Sequence, residues 1–581
     1  MSFFRDTFME AYRSRIYPNY WDMFALLIVF AVISLFAWNA RQMATPYHLG
    51  EVMVVSLDTA MLPFYAARTV VRMLIAMVFS LLFTFIFGLW AAKSKRAARI
   101  IIPVIDILQS VPILGFLSVT VTAFIALFPN SMLGPECAAI FAIFTSQAWN
   151  MALGFYQTVR SVPAEINEAA TMFHLTAWQR FWRIEVPFSM PGLLWNAMAS
   201  MSAGWFFVVA AEALTVSNQD ILLPGIGSYI AVAIQAANMS AIGYAVLAMF
   251  IVILIYDQLL FRPLVAWAEK FKSGQDVAEK VPESWVINLL RRTRMMRNLG
   301  VRMAHLFNLF VNARIFYPRD RARPRRFLIK KRNDHAIGIM WDVLFILLEI
   351  GAAVFLIYAC IQNLTMAEVW HAIWLGLITT LRVFILIVIC SLIWVPIGVW
   401  IGLRPTATMI TQPIAQILAA FPANLFYPFI VIFIVTYHLT PNIWLTPLMI
   451  LGAQWYILFN VIAGASSIPK ELLQVADNLN VTGWLRWTRL LLPAIFPYYI
   501  TGAMTAAGGA WNASIVAEVV SWGNAKLVAT GLGAYISEYT TAGEFAHSAL
   551  GIGVMCLLVL LINRLVWRPL YVYAENRFLM E

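Results

Sequence analysis

The feature that most constrains this chain is a series of apolar runs, each about 20 residues long, that recurs along its whole length. A helix of about 20 residues is about 30 Å long, which matches the hydrocarbon thickness of a bilayer. The 581 residues are 62% hydrophobic and 12% charged, with a mean hydropathy of +0.78. Soluble domains are about half apolar and about a quarter charged. We therefore predict an all-α polytopic membrane protein with no sizeable soluble domain.

The apolar runs predict about twelve transmembrane helices, six in each half of the chain. The predicted spans of the first half are 23–38, 69–90, 113–128, 138–155, 193–211 and 242–261. Those of the second half are 340–361, 375–401, 423–436, 444–463, 498–519 and 549–566.

Basic residues are concentrated in alternate connections between these predicted helices, which predicts an orientation. In the first half they precede span one, follow span two and lie between spans four and five. The connections between spans three and four and between spans five and six contain no Lys or Arg. The positive-inside rule then places the basic connections and both termini in the cytoplasm. The net charge of +11 is thus a sign of topology and does not indicate nucleic-acid binding.

A hydrophilic stretch from about 262 to 335 separates the halves and contains "LLRRTRMMRNLGVRM" and "RDRARPRRFLIKKR". It is predicted to be cytoplasmic, and it has two interpretations. The first is a linker that obeys the positive-inside rule, which is favoured because basic segments beside membranes are common. The second is an amphipathic helix lying on anionic lipid, with Trp285, Leu289 and Leu290 buried beside arginines.

The two halves repeat each other. Pro187 and Pro493 are 493 − 187 = 306 residues apart, and upstream the offset becomes 310, which pairs Arg72 with Arg382. An even number of spans per half predicts a parallel repeat about an axis along the membrane normal. The 306 offset also pairs Pro163 with Pro469, Glu165 with Glu471, Trp178 with Trp484, Trp205 with Trp511, Glu212 with Glu518 and Gly225 with Gly531.

The most polar repeated segment lies between spans four and five of each half. Pro163 and Glu165 suit the start of a helix, and Thr176 to Gln179 predicts a capping box that opens a second short helix. The segment is therefore predicted to be a helix–bend–helix on the cytoplasmic face that docks on a partner. An interfacial helix without a partner is the alternative.

The phrase "EAATMFHLTAWQRFWRIEVP", Glu168 to Pro187, resembles the EAA motif of the membrane permeases of binding-protein-dependent ABC importers. That motif is EAA, three residues, Gly, nine residues, Ile, one residue and Leu-Pro. Here His174 replaces the Gly and Val186 replaces the Leu. The second copy departs further, with Gln474, Val475 and Ala476 for EAA, Asn480 for Gly, and Leu490, Leu492 and Pro493 at its end.

The chain is further similar to the nitrate, sulfonate, taurine and bicarbonate group of these permeases. The resemblance implies a type I importer-like fold in the inner (plasma) membrane, with two permease copies in one chain. It also implies two ATPase subunits and an extracytoplasmic substrate-binding protein as partners. The residues expected to couple to the ATPases are Glu165, Glu168, Ala169, Ala170, His174, Glu471, Gln474, Ala476 and Asn480.

This resemblance divides the chain into five parts. They are 1–68 (the N-terminus, first span and outer loop), 69–272 (permease repeat 1), 273–336 (the basic linker), 337–378 (the first span of the second half) and 379–581 (permease repeat 2). No GxxxxGK[ST] occurs, so we expect ATP hydrolysis in separate subunits, and we predict no enzymatic activity, cofactor or metal for this chain.

An ion-driven carrier of the major-facilitator type is the competing class, because it also has two six-span halves and a basic central loop. The connection after span two, "AAKSKRAARI", lacks the Gly/Asp/Arg pattern usual in such carriers. The most strongly repeated loop instead lies between spans four and five, which favours the importer.

Two sets of repeated residues are candidates for the transport pathway or its gates. The first set is Trp149 with Trp455 and Trp205 with Trp511, which are expected either to line the pathway or to pack helices. The second set is Arg72 with Glu212 and Arg382 with Glu518, which lie near the outer ends of their spans. A lone charge there costs about 2.5 to 3.5 kcal/mol, so both pairs are predicted to be in contact. They are expected to be outer-gate salt bridges, or else static bridges or side chains that snorkel to the interface.

Overall fold

The computed structural model describes residues 20–43, 45–46, 55–110, 113–216, 219–268, 285–312, 347, 351, 364–523 and 525–578. Within these ranges seven helices are long and apolar enough to cross a membrane, and one helix pair bent by 78°, 414–420 with 423–436, would make an eighth. The prediction of a helical polytopic membrane protein is confirmed. The seven are Thr59–Lys93, Leu133–Arg160, Ala177–Glu212, Met239–Ala268, Met366–Gly402, Gly483–Ala517 and Phe545–Ala574.

The α-helices of the first half and of the segment between the halves follow in chain order. They are Tyr20–Met43, Leu62–Phe83, Leu89–Lys93, Lys95–Ser110, Ile113–Leu127, Leu133–Arg160, Ala164–Met172, Ala177–Arg180, Val186–Glu212, Ile226–Gln235, Met239–Tyr256, Arg262–Ala268, Trp285–Arg292 and Arg294–Val311.

The α-helices of the second half repeat this order. They are Met366–Gly402, Pro405–Ala420, Tyr427–Thr436, Pro441–Trp444, Trp455–Ser466, Lys470–Asn478, Gly483–Arg486, Leu492–Ala517, Leu532–Ala542, Phe545–Ile562 and Arg568–Phe578. Short 3₁₀ turns lie at Thr59–Met61, Ala423–Phe426 and Thr446–Met449, and π turns at Thr84–Gly88, Phe181–Glu185, Asp257–Phe261, Trp487–Leu491 and Asn563–Trp567.

Several predicted spans differ from the observed helices. The predicted span 113–128 is a helix of 15 residues, Ile113–Leu127, and the predicted span 444–463 overlaps the 12-residue helix Trp455–Ser466. Both helices are shorter than the bilayer requires. The prediction was wrong because an apolar run indicates burial, whether the segment crosses the bilayer or only packs inside the bundle. The predicted span 340–361 lies outside the described residues apart from Leu347 and Gly351.

Two features of the fold were not predicted. The helices Lys95–Ser110 and Pro405–Ala420, each 16 residues long, begin at equivalent positions 310 residues apart. Two antiparallel hairpins also interrupt the helices: β1 (Ala213–Val216) pairs with β2 (Gln219–Leu222), and β3 (Val519–Trp522) pairs with β4 (Ala525–Val528). Each hairpin directly follows the long helix after the polar loop, Val186–Glu212 or Leu492–Ala517, so the duplication extends to the backbone.

Each half contributes buried residues to the hydrophobic core of the other half. Ile113, Leu117 and Val121 of the first half are buried in a cluster formed mostly by the second half. Phe421 and Leu425 of the second half are buried in the cluster formed by the first half. Burying an aromatic or aliphatic side chain contributes about 1.5 to 3 kcal/mol in water, and in a bilayer close packing takes over this role. The two halves therefore pack as one body, in which each half inserts residues from an equivalent region into the core of the other.

Candidate functional sites

The first charge cluster joins three elements of the first half. The Arg72 guanidinium lies 2.6 Å from a Glu212 carboxylate oxygen and 2.5 Å from a Glu136 carboxylate oxygen. Arg68 lies 2.7 Å from the other oxygen of Glu136. All four residues are at most 3% exposed, and their formal charges balance. Each buried ion is therefore paired, as burial of a charge requires.

Backbone amides complete the coordination of Glu212. Its second oxygen accepts a hydrogen bond of 2.7 Å from the amide of Gly227, in the first turn of the helix Ile226–Gln235. Thr69 donates to its first oxygen at 2.7 Å. A carboxylate is stabilised at this position by the positive end of the helix dipole. Gly225 lies so close to the carboxylate that a Cβ there would contact it directly, which explains the glycine.

The second charge cluster repeats this arrangement with fewer charges. Arg382 lies 3.1 Å from Glu518, Thr379 donates to the same oxygen at 3.0 Å, and the amide of Ala534 donates to the other at 3.0 Å. Arg382 also donates to the side-chain oxygen of Asn442 at 3.2 Å. Asn442 stands 442 − 136 = 306 residues after Glu136, so an amide takes the place of the carboxylate.

The predicted contacts Arg72–Glu212 and Arg382–Glu518 are confirmed. Both join elements of a single half, so neither bridges the two halves. Sequence reasoning missed Arg68 and Glu136. The sequence did contain a signal. Arg68 and Glu136 have opposite charges, lie near the same ends of the predicted spans as Arg72 and Glu212, and have no charged equivalents in the second half.

A cavity of about 680 Å³ lies between the two halves, with lining residues from both. Trp149 and Trp511 line it, which places one member of each repeated tryptophan pair at the cavity. Trp205 is instead buried against the ring of Tyr256 at 5.5 Å, and Trp455 packs against Trp394 at 5.4 Å. These two are helix-packing residues and are absent from the lining of the cavity.

The polar groups around the cavity are amides, hydroxyls and indoles, and its described lining includes no Asp, Glu, Lys, Arg or His. Asn150 donates to Ser200 at 3.1 Å, and Asn512 accepts from the backbone amide of Ile113 at 3.0 Å across the two halves. The indole nitrogen of Trp149 is buried without a hydrogen-bond partner among the described residues. The neutral polar lining includes Gln109, Asn150, Gln157, Asn196, Ser200, Ser202, Thr501, Thr505 and Asn512.

The first polar loop is the predicted helix–bend–helix. The helix Ala164–Met172 ends at a left-handed residue, His174 (φ 50°), and the amide of Leu175 returns to the carbonyl of Ala170 at 3.0 Å. Such a left-handed residue satisfies the last carbonyls of a helix. The predicted capping box of Thr176 and Gln179 is confirmed. The second helix continues through a π turn into the long helix Val186–Glu212.

The second polar loop has the same bend, but Thr482 makes no capping hydrogen bond at the start of its second helix. The helix Lys470–Asn478 ends at Asn480 (φ 53°), and the amide of Val481 returns to Ala476 at 2.8 Å. An arginine ties each bend to the first helix: Arg180 donates to Thr171 at 3.1 Å, and Arg486 donates to the equivalent Asp477 at 2.5 Å. The bend therefore forms with either His or Asn at the position where the EAA motif has Gly.

The loop residues of the motif divide into inner and outer positions. Ala170 and Ala476 are 1% and 7% exposed, because they lie on the inner side of the bend. The outer positions, which are exposed, are Glu165, Glu168, His174, Glu471, Gln474 and Asn480, while Ala169 is half-buried. The neighbouring Phe173 and Leu479 are equivalent and are 79% and 71% exposed. Each loop thus presents a carboxylate, polar groups and a large apolar side chain.

One ion pair at the base of the first loop has no charged equivalent. Lys93 pairs with Glu185, whose side chain is 2% exposed. The corresponding residues of the second half, by offsets of 310 and 306, are Leu403 and Leu491, and both belong to one apolar cluster. An ion pair and an apolar pair therefore occupy equivalent places.

Comparison with known proteins identifies one family in both halves. The model of the family described as "Binding-protein-dependent transport system inner membrane component" matches residues 84–260 and 394–576. Each match contains one complete polar loop with its bend and the long helix that follows. Together the two matches cover more than half of the chain.

Similar proteins include several named permeases. The nitrate import permease protein NrtB of Leptolyngbya laminosa is 27% identical over 185 residues, which are 32% of this chain and 63% of that protein. The glycine betaine/proline betaine transport system permease protein ProW of Escherichia coli is 28% identical over 194 residues, 32% of this chain and 50% of its own length. The bicarbonate transport system permease protein CmpB of Synechococcus elongatus is 26% identical over 178 residues, which are 31% of this chain and 61% of that protein. The chain thus spans between half and under two thirds of these relatives.

Proposed function

The chain belongs to the family of binding-protein-dependent transport system inner membrane components, and on that premise we propose that it forms the complete channel of an ABC importer by itself. The observation that carries this proposal is the pair of polar loops, which repeat one bend and one pattern of exposed residues 306 residues apart. Importers of this family work with ATPase subunits and substrate-binding proteins. In this proposal each loop docks on one of two ATPase subunits.

The exposed residues of the loops support this role. Glu168 and Gln474 lie on the first helix of their loops, and Phe173 and Leu479 lie at its end. The second helix of each loop continues through a π turn into a long membrane helix. A movement of an ATPase would therefore pass directly into the helices Val186–Glu212 and Leu492–Ala517. Because both loops contain basic residues, the positive-inside rule assigns the loops and both termini to the cytoplasm.

The cavity between the halves is the proposed substrate pathway, with Trp149 and Trp511 on its walls. We assign it a small anion, such as nitrate, sulfonate, taurine or bicarbonate. The lining offers amide and hydroxyl donors and no carboxylate that would repel an anion. A site without a cation binds an anion weakly, which suits a passage that must also release its cargo.

The charge clusters are proposed to be static braces. A gate between the halves should join groups from both, whereas each cluster closes within one half. Opening the Arg72–Glu212 contact would also leave the fully buried Glu212 carboxylate without its cation, which costs about 3 to 5 kcal/mol. In this proposal each cluster fixes a hairpin and the helix after it to the start of a membrane helix.

Reconstitution tests the proposed function. The chain, its ATPase and its binding protein in proteoliposomes should take up a labelled anion only when ATP is present. Uptake driven by an ion gradient without ATP would instead support the carrier class. The substrate is tested separately on the binding protein, whose melting temperature a true ligand raises. A shift with glycine betaine and none with nitrate, bicarbonate or sulfonates would overturn the anion assignment and leave the importer assignment intact.

A further inference from the structure

The helix Arg294–Val311, which we call the linker helix, lies against the first polar loop. The indole nitrogen of Trp178 donates to the carbonyl of Phe310 at 3.2 Å, and their rings are 5.1 Å apart. The ring of Trp182 lies 5.5 Å from that of Phe307. Asn312, at the end of the helix, accepts hydrogen bonds of 3.1 Å from Gln179 and from Arg183. The end of the linker helix is therefore fixed to the loop by aromatic and polar contacts.

This contact belongs to the first half alone among the described residues. Trp484, the equivalent of Trp178, is 78% exposed, and the equivalent of Trp182 is Thr488. The second loop therefore lacks the pair of tryptophans that receives the two phenylalanines. The two loops differ in what covers their flanks, although their bends are alike.

The linker helix keeps a large apolar surface exposed beside this contact. Met303, Leu306, Phe307 and Phe310 are three or four residues apart and so share one side of the helix. Met303 and Leu306 are 60% and 59% exposed, and Phe307 and Phe310 are each 45% exposed after the loop has covered part of them. His305 lies about 200° around the helix from Met303. A contiguous apolar side of this kind needs a cover.

The position of the helix identifies that cover as the bilayer. Trp182, which contacts Phe307, also packs at 6.2 Å on Phe85 of the membrane helix Thr59–Lys93. The linker helix and the preceding helix Trp285–Arg292 both contact the helix Tyr20–Met43. The segment also carries arginines at 291, 292, 294, 297 and 302. Apolar residues beside basic ones, at the end of membrane helices, match an anionic lipid surface.

We propose that the linker helix lies on the cytoplasmic membrane surface, with Met303 and Leu306 in the lipid, and that this basic segment is attracted to anionic headgroups. Each arginine near such a surface contributes about 1 kcal/mol, so the helix is held more firmly as the anionic lipid content rises. Its other contact is Trp178 and Trp182. The lipid surface therefore holds the first polar loop, and only the first, through this helix.

Spin-label accessibility in nanodiscs tests this proposal. Met303→Cys and Leu306→Cys are compared with His305→Cys and Asn308→Cys, in a chain whose four native cysteines are replaced by alanine. All four positions are exposed, so the substitutions should leave the fold intact. In discs of phosphatidylcholine with phosphatidylglycerol, labels at 303 and 306 should be several-fold more accessible to oxygen, relative to a water-soluble nickel complex, than labels at 305 and 308. In phosphatidylcholine alone the contrast should fall.

Hydrogen exchange supplies the second measurement. Adding phosphatidylglycerol should slow amide exchange in 176–185 and leave the equivalent 482–491 unchanged. Water-like accessibility at all four labels in the anionic discs would overturn the proposal, because another protein or a second copy would then be needed to cover the apolar side. A contrast independent of phosphatidylglycerol would overturn the headgroup contact. Neither measurement needs an ATPase or a substrate, so the outcome is independent of the proposed function.

Discussion

Arg382 donates a hydrogen bond of 3.2 Å to Asn442, at the place where Arg72 of the first half contacts the carboxylate of Glu136 at 2.5 Å. The second half lacks a cation as well as this carboxylate, because the equivalent of Arg68 by the offset of 310 is Ile378. The first cluster thus has one more cation and one more anion than the second. Two copies of one site have kept charge balance with different numbers of charges.

Removing one charge from the first cluster should be far more damaging than removing its neutral equivalent. Glu136→Gln leaves Arg68 and Arg72 with one carboxylate in a fully buried place, so we expect a loss of about 3 to 5 kcal/mol of stability. Asn442→Ala, at an exposed residue, should change stability by less than about 1 kcal/mol. Thermal unfolding of the purified chain in detergent measures both variants.

The double variant Arg68→Gln/Glu136→Gln is the control, because it recreates the charge count of the second cluster. It should recover most of the lost melting temperature. Equal losses in the single and double variants would show that charge balance does not determine the stability of this site.

The ion pair of Lys93 and Glu185 at the base of the first loop can be replaced by its apolar equivalent from the second half. Lys93→Leu leaves Glu185 buried without its cation, so it should destabilise the chain markedly. The double variant Lys93→Leu/Glu185→Leu copies Leu403 and Leu491 of the second half and should be close to the native chain in stability. A double-mutant cycle on melting temperature measures the coupling. Additive effects of the two substitutions would contradict this expectation.

The loops should differ in their sensitivity to charge reversal. Glu168→Arg should abolish transport and the stimulation of ATPase activity while leaving the melting temperature unchanged, because the residue is exposed. Gln474→Arg should be less damaging, because an uncharged amide has less attraction to lose. Both variants are assayed in proteoliposomes with the ATPase present. Normal transport by Glu168→Arg would contradict a docking role for the first loop.

The left-handed bends predict a pattern of tolerated residues. His174→Val should strain the bend by about 1 to 2 kcal/mol, since a β-branched residue disfavours positive φ, whereas His174→Gly should be neutral or stabilising. Asn480→Val and Asn480→Gly should follow the same order. Hydrogen exchange across 171–176 and 477–482 reports the opening of each bend. Faster exchange in the glycine variants than in the valine variants would contradict the assignment.

Much of this architecture could be predicted because the duplication placed each signal in the sequence twice. The offsets of 306 and 310 located the loops and the ion pairs of Arg72 and Arg382. Repetition also misled, because a repeated residue can serve packing as well as transport. Trp205 and Trp455 repeat as faithfully as Trp149 and Trp511, yet they pack between helices.

Other features gave too weak a signal. Hydropathy does not separate a helix that crosses the bilayer from one that is only buried. The sequence therefore predicts complete spans at 113–128 and 444–463, where the structure has the shorter helices Ile113–Leu127 and Trp455–Ser466. The hairpin strands have four residues each, too few for a period of two to stand out. The attachment of Phe307 and Phe310 to Trp178 and Trp182 joins segments about 130 residues apart, and periodicity within either segment contains no information about it.

The subunit stoichiometry tests the central claim most directly. If one chain supplies both polar loops, native mass spectrometry of the detergent-solubilised complex should find one copy of this chain with two ATPase subunits. The Glu168→Arg variant should lose the ATPase from the first loop and yield complexes with fewer than two subunits. A complex that contains two copies of this chain for each pair of ATPase subunits, or a chain that binds no ATPase, would contradict the account.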